Sequence, residues 1–128
     1  MADRNYYVTL IKASRDLTKR EQVILKDTAD AQRLDLATAD GDLLITVDTW
    51  AELSVHNERS RDGNKDYPNF VIVDANGTKY VTGSENFWHS FIDIMEDMED
   101  SDEPVTIKVF RRPSKNYQGK SFLTCTLV

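Results

Sequence analysis

Several residue types that would announce a particular chemistry are scarce in this chain of 128 residues: it has one cysteine, two histidines, three prolines and five glycines. A lone Cys125 cannot close an internal disulfide. It falls on the apolar side of the last predicted strand and reads as a small buried thiol, which fits a reducing, cytoplasmic setting. His56 and His89 lie on different elements, so no zinc-ligand spacing exists and neither metal nor cofactor is expected. The low proline and glycine content excludes low-complexity and long disordered segments. No apolar run approaches the roughly 20 residues of a membrane span, and the N-terminus MADRNYYV lacks the pattern of a secretion signal. Catalytic signatures are missing too. Ser114 and Ser121 have no nearby base, Gly77 and Gly83 form no phosphate-cradling loop, and Asp97 and Glu99 belong to a solvated helix end, so the chain is not expected to be an enzyme.

Charge is present but unevenly placed. The formal net charge is −6. Between Ser84 and Glu103 lie Glu85, Asp93, Glu96, Asp97, Glu99, Asp100, Asp102 and Glu103, with no Lys or Arg. Val105 to Lys120 contains Lys108, Arg111, Arg112, Lys115 and Lys120 and no acid. Removing +5 and −8 from −6 leaves −3 for everything else, so one acidic and one basic element carry most of the asymmetry.

The length implies one domain, 1–128, divided into an N-terminal extension of residues 1–42 and a core of 43–128. Asn5 to Lys12 reads as a strand. Thr18 with Glu21 forms a capping box that starts a short helix through about Lys26. Residues 27–42 combine Ala-rich helical composition with three turn sites, and no single structure is assigned to them. Leu43 to Val55 alternates cleanly, with Ile45, Val47, Ala51, Leu53 and Val55 on one face and Trp50 on the other. On that second face Asp48 and Glu52 oppose phosphate, which favours a structural role for Trp50 over a stacking platform. His56 to Tyr67 is a polar loop. Phe70 to Asp74 and Lys79 to Thr82 are strands joined through Asn76-Gly77, a strong hairpin signal. Ser84 caps a helix from Glu85 to about Glu99, whose apolar stripe of Phe87, Trp88, Phe91, Ile94, Met95 and Met98 faces the core. Two further strands start near Val105 and Phe122, and Pro113, Asn116 and Gly119 mark the turn between them.

The fold class expected is α+β, mainly β. From Leu43 the order is three strands, a helix and two strands, which is the order of an OB-fold, a five-stranded barrel with a helix between strands 3 and 4 that binds oligonucleotides through its L12 and L45 loops. Those loops would be His56 to Tyr67, carrying Arg59, Arg61 and Lys65, and Arg111 to Gly119. A basic loop holding Tyr117, with Phe110 and Phe122 at its base, is suited to single strands: cations for phosphates and flat rings for bases. The binding set is therefore Arg59, Arg61, Lys65, Lys108, Phe110, Arg111, Arg112, Lys115, Tyr117, Lys120 and Phe122. The plainer alternative is that these cations only solvate a strand face.

The run NFVIVDANGTKYVTGSENFWHSFIDIMEDM together with RRPSKNYQGKSFLTCTLV resembles small phage and mobile-element proteins regarded as single-stranded DNA-binding proteins. The likeness spans roughly Leu43 to Val128 and rests on the G-S-x-x-F helix start and the S-K-N-x-x-G-K-x-F-x-T-C ending. It implies an OB-type fold, a role in DNA replication or recombination, no catalytic residues and, for a phage protein, the host cytoplasm. Many bacterial single-strand binders end in a flexible acidic tail that recruits partners. This chain ends in an apolar strand, so recruitment of that kind is not expected.

Two functional readings result. In the first the protein coats single-stranded DNA, with RNA as a second candidate ligand and a homo-oligomer as an expected state. In the second it is a protein-binding inhibitor or adaptor, whose acidic helix face presents DNA-like negative charge to a basic partner.

Overall fold

The computed structural model describes residues 5–59, 65–113 and 121–128. It is a mixed α+β structure in which a mostly antiparallel sheet curls into a half-barrel. In chain order the elements are β1 (Tyr6–Ala13), α1 (Lys19–Lys26), β2 (Gln32–Arg33), α2 (Leu34–Ala37), β3 (Leu43–Asn57), β4 (Asp66–Asp74), β5 (Lys79–Thr82), α3 (Glu85–Asp97), β6 (Thr106–Pro113) and β7 (Ser121–Leu127). The sheet order is β2-β5-β4-β3-β6-β7, with β1 also paired to β3. No described helix is long and apolar enough to cross a membrane.

The sheet has seven strands, against the five of the expected barrel and one expected N-terminal strand outside it. The two additional ones, β1 and β2, come from the first 42 residues: β1 pairs along Ala51 to Asn57, and β2 pairs in parallel with Tyr80 and Val81 of β5. The stretch 27–42 thus resolves into a two-residue strand and a single helical turn, anchored by Leu34 in the core. Lys79 ties this region down. Its ammonium donates to the carbonyls of Ile24 and Asp27 at 2.7 and 2.6 Å, satisfying acceptors at the end of α1.

Strand β3 organises the rest. Its 15 residues span about 50 Å at the usual rise per residue, enough to serve two half-sheets. One edge carries β4. The other is shared, with Leu43 to Thr46 on β6 and Ala51 to Asn57 on β1. Between Val47 and Thr49 the register with β4 shifts, which makes Asp48 the extra residue of a bulge. An extra residue reverses the side on which later residues fall. Trp50 consequently packs in the same core as Ile45, while Ala51 and Leu53 face the opposite side. This corrects the uninterrupted alternation expected from the sequence.

Both faces of the sheet are covered. On one, the stripe of α3 meets Trp50, Phe70, Ile72 and Ile107, and Trp88 stacks on Phe70 at 4.6 Å and meets Trp50 edge-on at 5.7 Å. Glu52 accepts the Trp88 indole N–H at 2.6 Å, so the buried donor is satisfied. On the other, Leu25 of α1 covers Ala51, Leu53, Val71 and Val81. The helices begin as their sequences require. Thr18 and Glu21 exchange both capping-box bonds at 3.1 and 3.0 Å, and Ser84 accepts the Phe87 N–H at 3.2 Å. The β4–β5 turn relies on Gly77, whose φ of 92° suits glycine, and on Asp74, whose carboxylate accepts the N–H groups of Asn76 and Thr46. Strands β3 and β4 each reach into the expected His56–Tyr67 loop, because His56 pairs with Asp66 and Val55 with Tyr67.

Phe91 lies at the centre of the α3 interface, fully buried, with Trp88 and Phe87 at 4.8 and 6.0 Å. Phe91→Ala should cost about 3–5 kcal/mol in a urea titration followed by tryptophan fluorescence. A loss under about 1 kcal/mol would mean that α3 does not hold the half-barrel together.

Candidate nucleic-acid interface

The alternation of β6 divides its side chains between core and solvent. Ile107 and Val109 are fully buried, whereas Lys108, Phe110 and Arg112 line up on the outer face. Cross-strand pairing sets Thr126, Thr124 and Phe122 of β7 opposite these three, and Leu44 of β3 opposite Lys108. The Lys108 ammonium lies 5.3 Å and the Arg112 guanidinium 5.2 Å from the Phe110 ring centroid, both within cation–π range. No acid occurs in β6, in β7 or in the part of β3 that pairs with β6. The result is a solvent-facing patch of flat rings between cations, with Phe122 38% exposed.

Arg111 alternates to the other side and enters a groove of about 840 Å³ where the free side of β7 approaches β5 and β2. Its guanidinium donates to the Asp35 carbonyl at 2.7 Å, and Arg33 forms an ion pair with the Asp35 carboxylate at 2.7 Å. Polar residues supply much of the remaining wall, including Asn69, Thr82, Ser84 and Ser121. The groove gathers strand ends from both expected binding loops. Tyr67 lies just past residues 58–65, and Arg111 and Ser121 flank residues 114–120. Phe122 belongs to this wall and to the cation–aromatic patch, so the two surfaces are continuous through one side chain.

Of the binding residues expected from the sequence, Lys108, Phe110, Arg112 and Phe122 share one face, and Arg111 lies in the adjoining groove. Arg59 is exposed beyond the end of β3, its N–H bonded to Asn57 at 3.0 Å. Lys65 is otherwise engaged. It pairs with Glu58 at 2.8 Å, Glu58 with His56 at 2.6 Å, and His56 with Asp66 at 2.7 Å, so its charge is balanced locally. Arg61, Lys115, Tyr117 and Lys120 fall outside the described residues. Arg33 and Tyr67 join the groove without a sequence signal: the first sits in the stretch that has no clear periodicity, the second at the end of a polar run.

Trp50 is buried against Trp88 and Phe91 of α3, with the Lys12 ammonium of β1 5.7 Å from its ring, so it is no stacking platform. Burial pushes the Cys125 thiol up to about 12, which leaves it protonated at neutral pH. Among the described residues no three His, Cys, Asp or Glu side chains converge on a metal-sized site. No protein-family model, curated protein or solved structure matches the chain.

The His56 network has a pH signature. Hydrogen bonds to Asp66 and then Glu58 raise the His56 pKa above its ordinary 6.5, and Lys65, followed by His56, lowers that of Glu58. The histidine contribution is complete below pH 6.5 and is lost as pH rises through the higher folded value. The glutamate contribution is present above its ordinary value of 4.5 and is lost as pH falls through the lower folded one. Thermal unfolding of the protein and of His56→Gln should therefore differ most between these limits, and the difference should shrink towards alkaline pH. An NMR titration placing the folded His56 midpoint below 6.5 would rule the network out.

Proposed function

We propose that the protein binds single-stranded nucleic acid without catalysis, with single-stranded DNA as its ligand in phage or mobile-element replication or recombination. The observation that carries this reading is the Phe110 ring set between Lys108 and Arg112 on an acid-free outer strand face. Every base offers a π-face, so a half-exposed ring such as Phe110 or the more open Phe122 can stack any base for roughly 1–3 kcal/mol, while neighbouring cations take the phosphates. Such a site is indifferent to sequence and selects unstacked strands, because a duplex keeps its base faces covered.

The strand order supports the same reading. Without β1 and β2 the sheet runs β5-β4-β3-β6-β7, and α3 falls between β5 and β6 in the chain. Numbered from β3, this is strand order 3-2-1-4-5 with a helix between strands 3 and 4, an order consistent with an OB-like barrel. In this arrangement β2 lies against the free edge of β5, and the groove holding Arg33 and Arg111 occupies the remaining gap beside β7. A strand entering that groove would pass from Arg111, beside the Arg33–Asp35 pair, over Phe122 to Phe110. The net negative charge of the chain does not oppose this, because interactions beyond about 8 Å are largely screened at physiological salt.

Fluorescence anisotropy with labelled oligo-dT at low salt, beside duplex DNA of equal length, tests the proposal. Phe110→Ala should lose roughly 1–3 kcal/mol of affinity for the single strand. Lys108→Gln with Arg112→Gln should flatten the log–log salt dependence by about 1.4, at about 0.7 per lost phosphate contact. Equal affinity for duplex and single strand, or an unchanged salt slope in the double variant, would remove the β6–β7 face from consideration.

A further inference from the structure

We propose that a second groove, between the end of β1 and the C-terminal half of α3, docks a cationic amphipathic segment of a partner protein. The groove has a volume of about 520 Å³, within the range of built ligand sites. Ile92, Met95 and Met98 supply apolar surface that the core leaves half-exposed, and Glu96, Glu99 and Glu103 stand beside them. Met95 and Glu96 lie three and four residues after Ile92, so one face of α3 presents apolar and acidic atoms together, and Glu99 stands in the turn just beyond the helix. Methionine suits such a surface because its flexible, polarizable side chain adapts to varied apolar partners.

Charge complementarity identifies the occupant. The ion pairs among the described residues include none of the eight acids from Glu85 to Glu103. Six of them follow Asp93, around and beyond the C-terminus of α3, where the helix dipole already concentrates negative potential and no basic side chain occupies the last turn. The only cation of the lining, Lys12, sits over the Trp50 ring and pairs with no described carboxylate. A segment bearing Lys or Arg on one side and an aliphatic residue on the other would neutralise this rim and cover the methionines. The groove reaches Val105, just before β6, whereas the nucleic-acid groove meets β6 at Arg111. Six residues of strand separate them by about 20 Å, more than two Debye lengths at 0.15 M salt. One end of the protein can thus hold an anion and the other a cation without mutual cancellation.

The test uses the intact chain and a fluorescein-labelled helical peptide of leucine and lysine, roughly four turns long. A control peptide of equal charge has serine for leucine. The leucine peptide should bind at least about tenfold more tightly than the control, and Glu96→Gln/Glu99→Gln/Glu103→Gln should weaken it by about tenfold or more. These exposed substitutions leave the core untouched, and circular dichroism verifies the fold. Equal binding of both peptides would show unspecific charge attraction, and undiminished binding by the triple variant would place the peptide elsewhere; either overturns the proposal. A dimer seen by sedimentation without peptide and lost in the triple variant would assign the groove to a second copy instead. No oligonucleotide enters this assay, so its outcome is separate from that of single-strand binding.

Discussion

Strand β3 has to satisfy three partners and two cores at once, and the bulge at Asp48 is what allows it. Before the bulge, Ile45 points into the α3 core and the strand edge pairs with β6. After it, Trp50 still points into that core although its position has the opposite parity, and Ala51 and Leu53 meet α1 and the N-terminal region. An unbulged strand of this length would turn either Ile45 or Trp50 away from α3. The aromatic cluster of Trp50, Phe70, Trp88 and Phe91 depends on that offset, and so does the seating of the helix. The increased local twist that accompanies a bulge also fits the curl of the sheet, which brings the ends of β4, β5, β6 and β7 around a common groove.

Strand β6, between β3 and the edge strand β7, places charged side chains as well as core ones. Its inward residues seal the barrel side, its outward residues form the cation–aromatic patch, and Val105 just before it and Arg111 near its end border the two grooves. The acidic helix and the basic strand are neighbours in sequence, separated by residues 98–105. Electrostatic steering towards an anion at one end does not require a basic protein, only a local field that the rest of the molecule leaves unscreened.

The shared face of Lys108, Phe110 and Arg112 was readable in advance because period-2 alternation sets these three on one side of the strand whatever the fold around them. Lys65 shows the limit of that approach. Its charge counts towards a basic loop in the sequence, yet Glu58 and His56 absorb it through contacts that depend on where β3 ends and β4 begins. Arg33 shows the converse. It acquires a place beside Arg111 only because two residues of β2 pair with β5, and a two-residue strand leaves no periodic trace.

By itself the sequence determined the elements with strong local signals: the capping box at Thr18, the Asn-Gly hairpin, the Ser84 cap, the apolar stripe of α3 and the alternation of β6 and β7. It also determined the separation of charge between residues 84–103 and 105–120. Each of these rests on interactions within a few residues, which is why composition and spacing reveal them. Tertiary structure decided the rest. The parity change at Asp48, the addition of β1 and β2 to the sheet, the burial of Lys79 over the end of α1 and the gathering of Arg33, Tyr67, Arg111 and Phe122 around one groove all depend on which strand edge was left free. A free edge is a property of the assembled sheet, because its unpaired N–H and C=O groups exist only after the other strands have taken theirs.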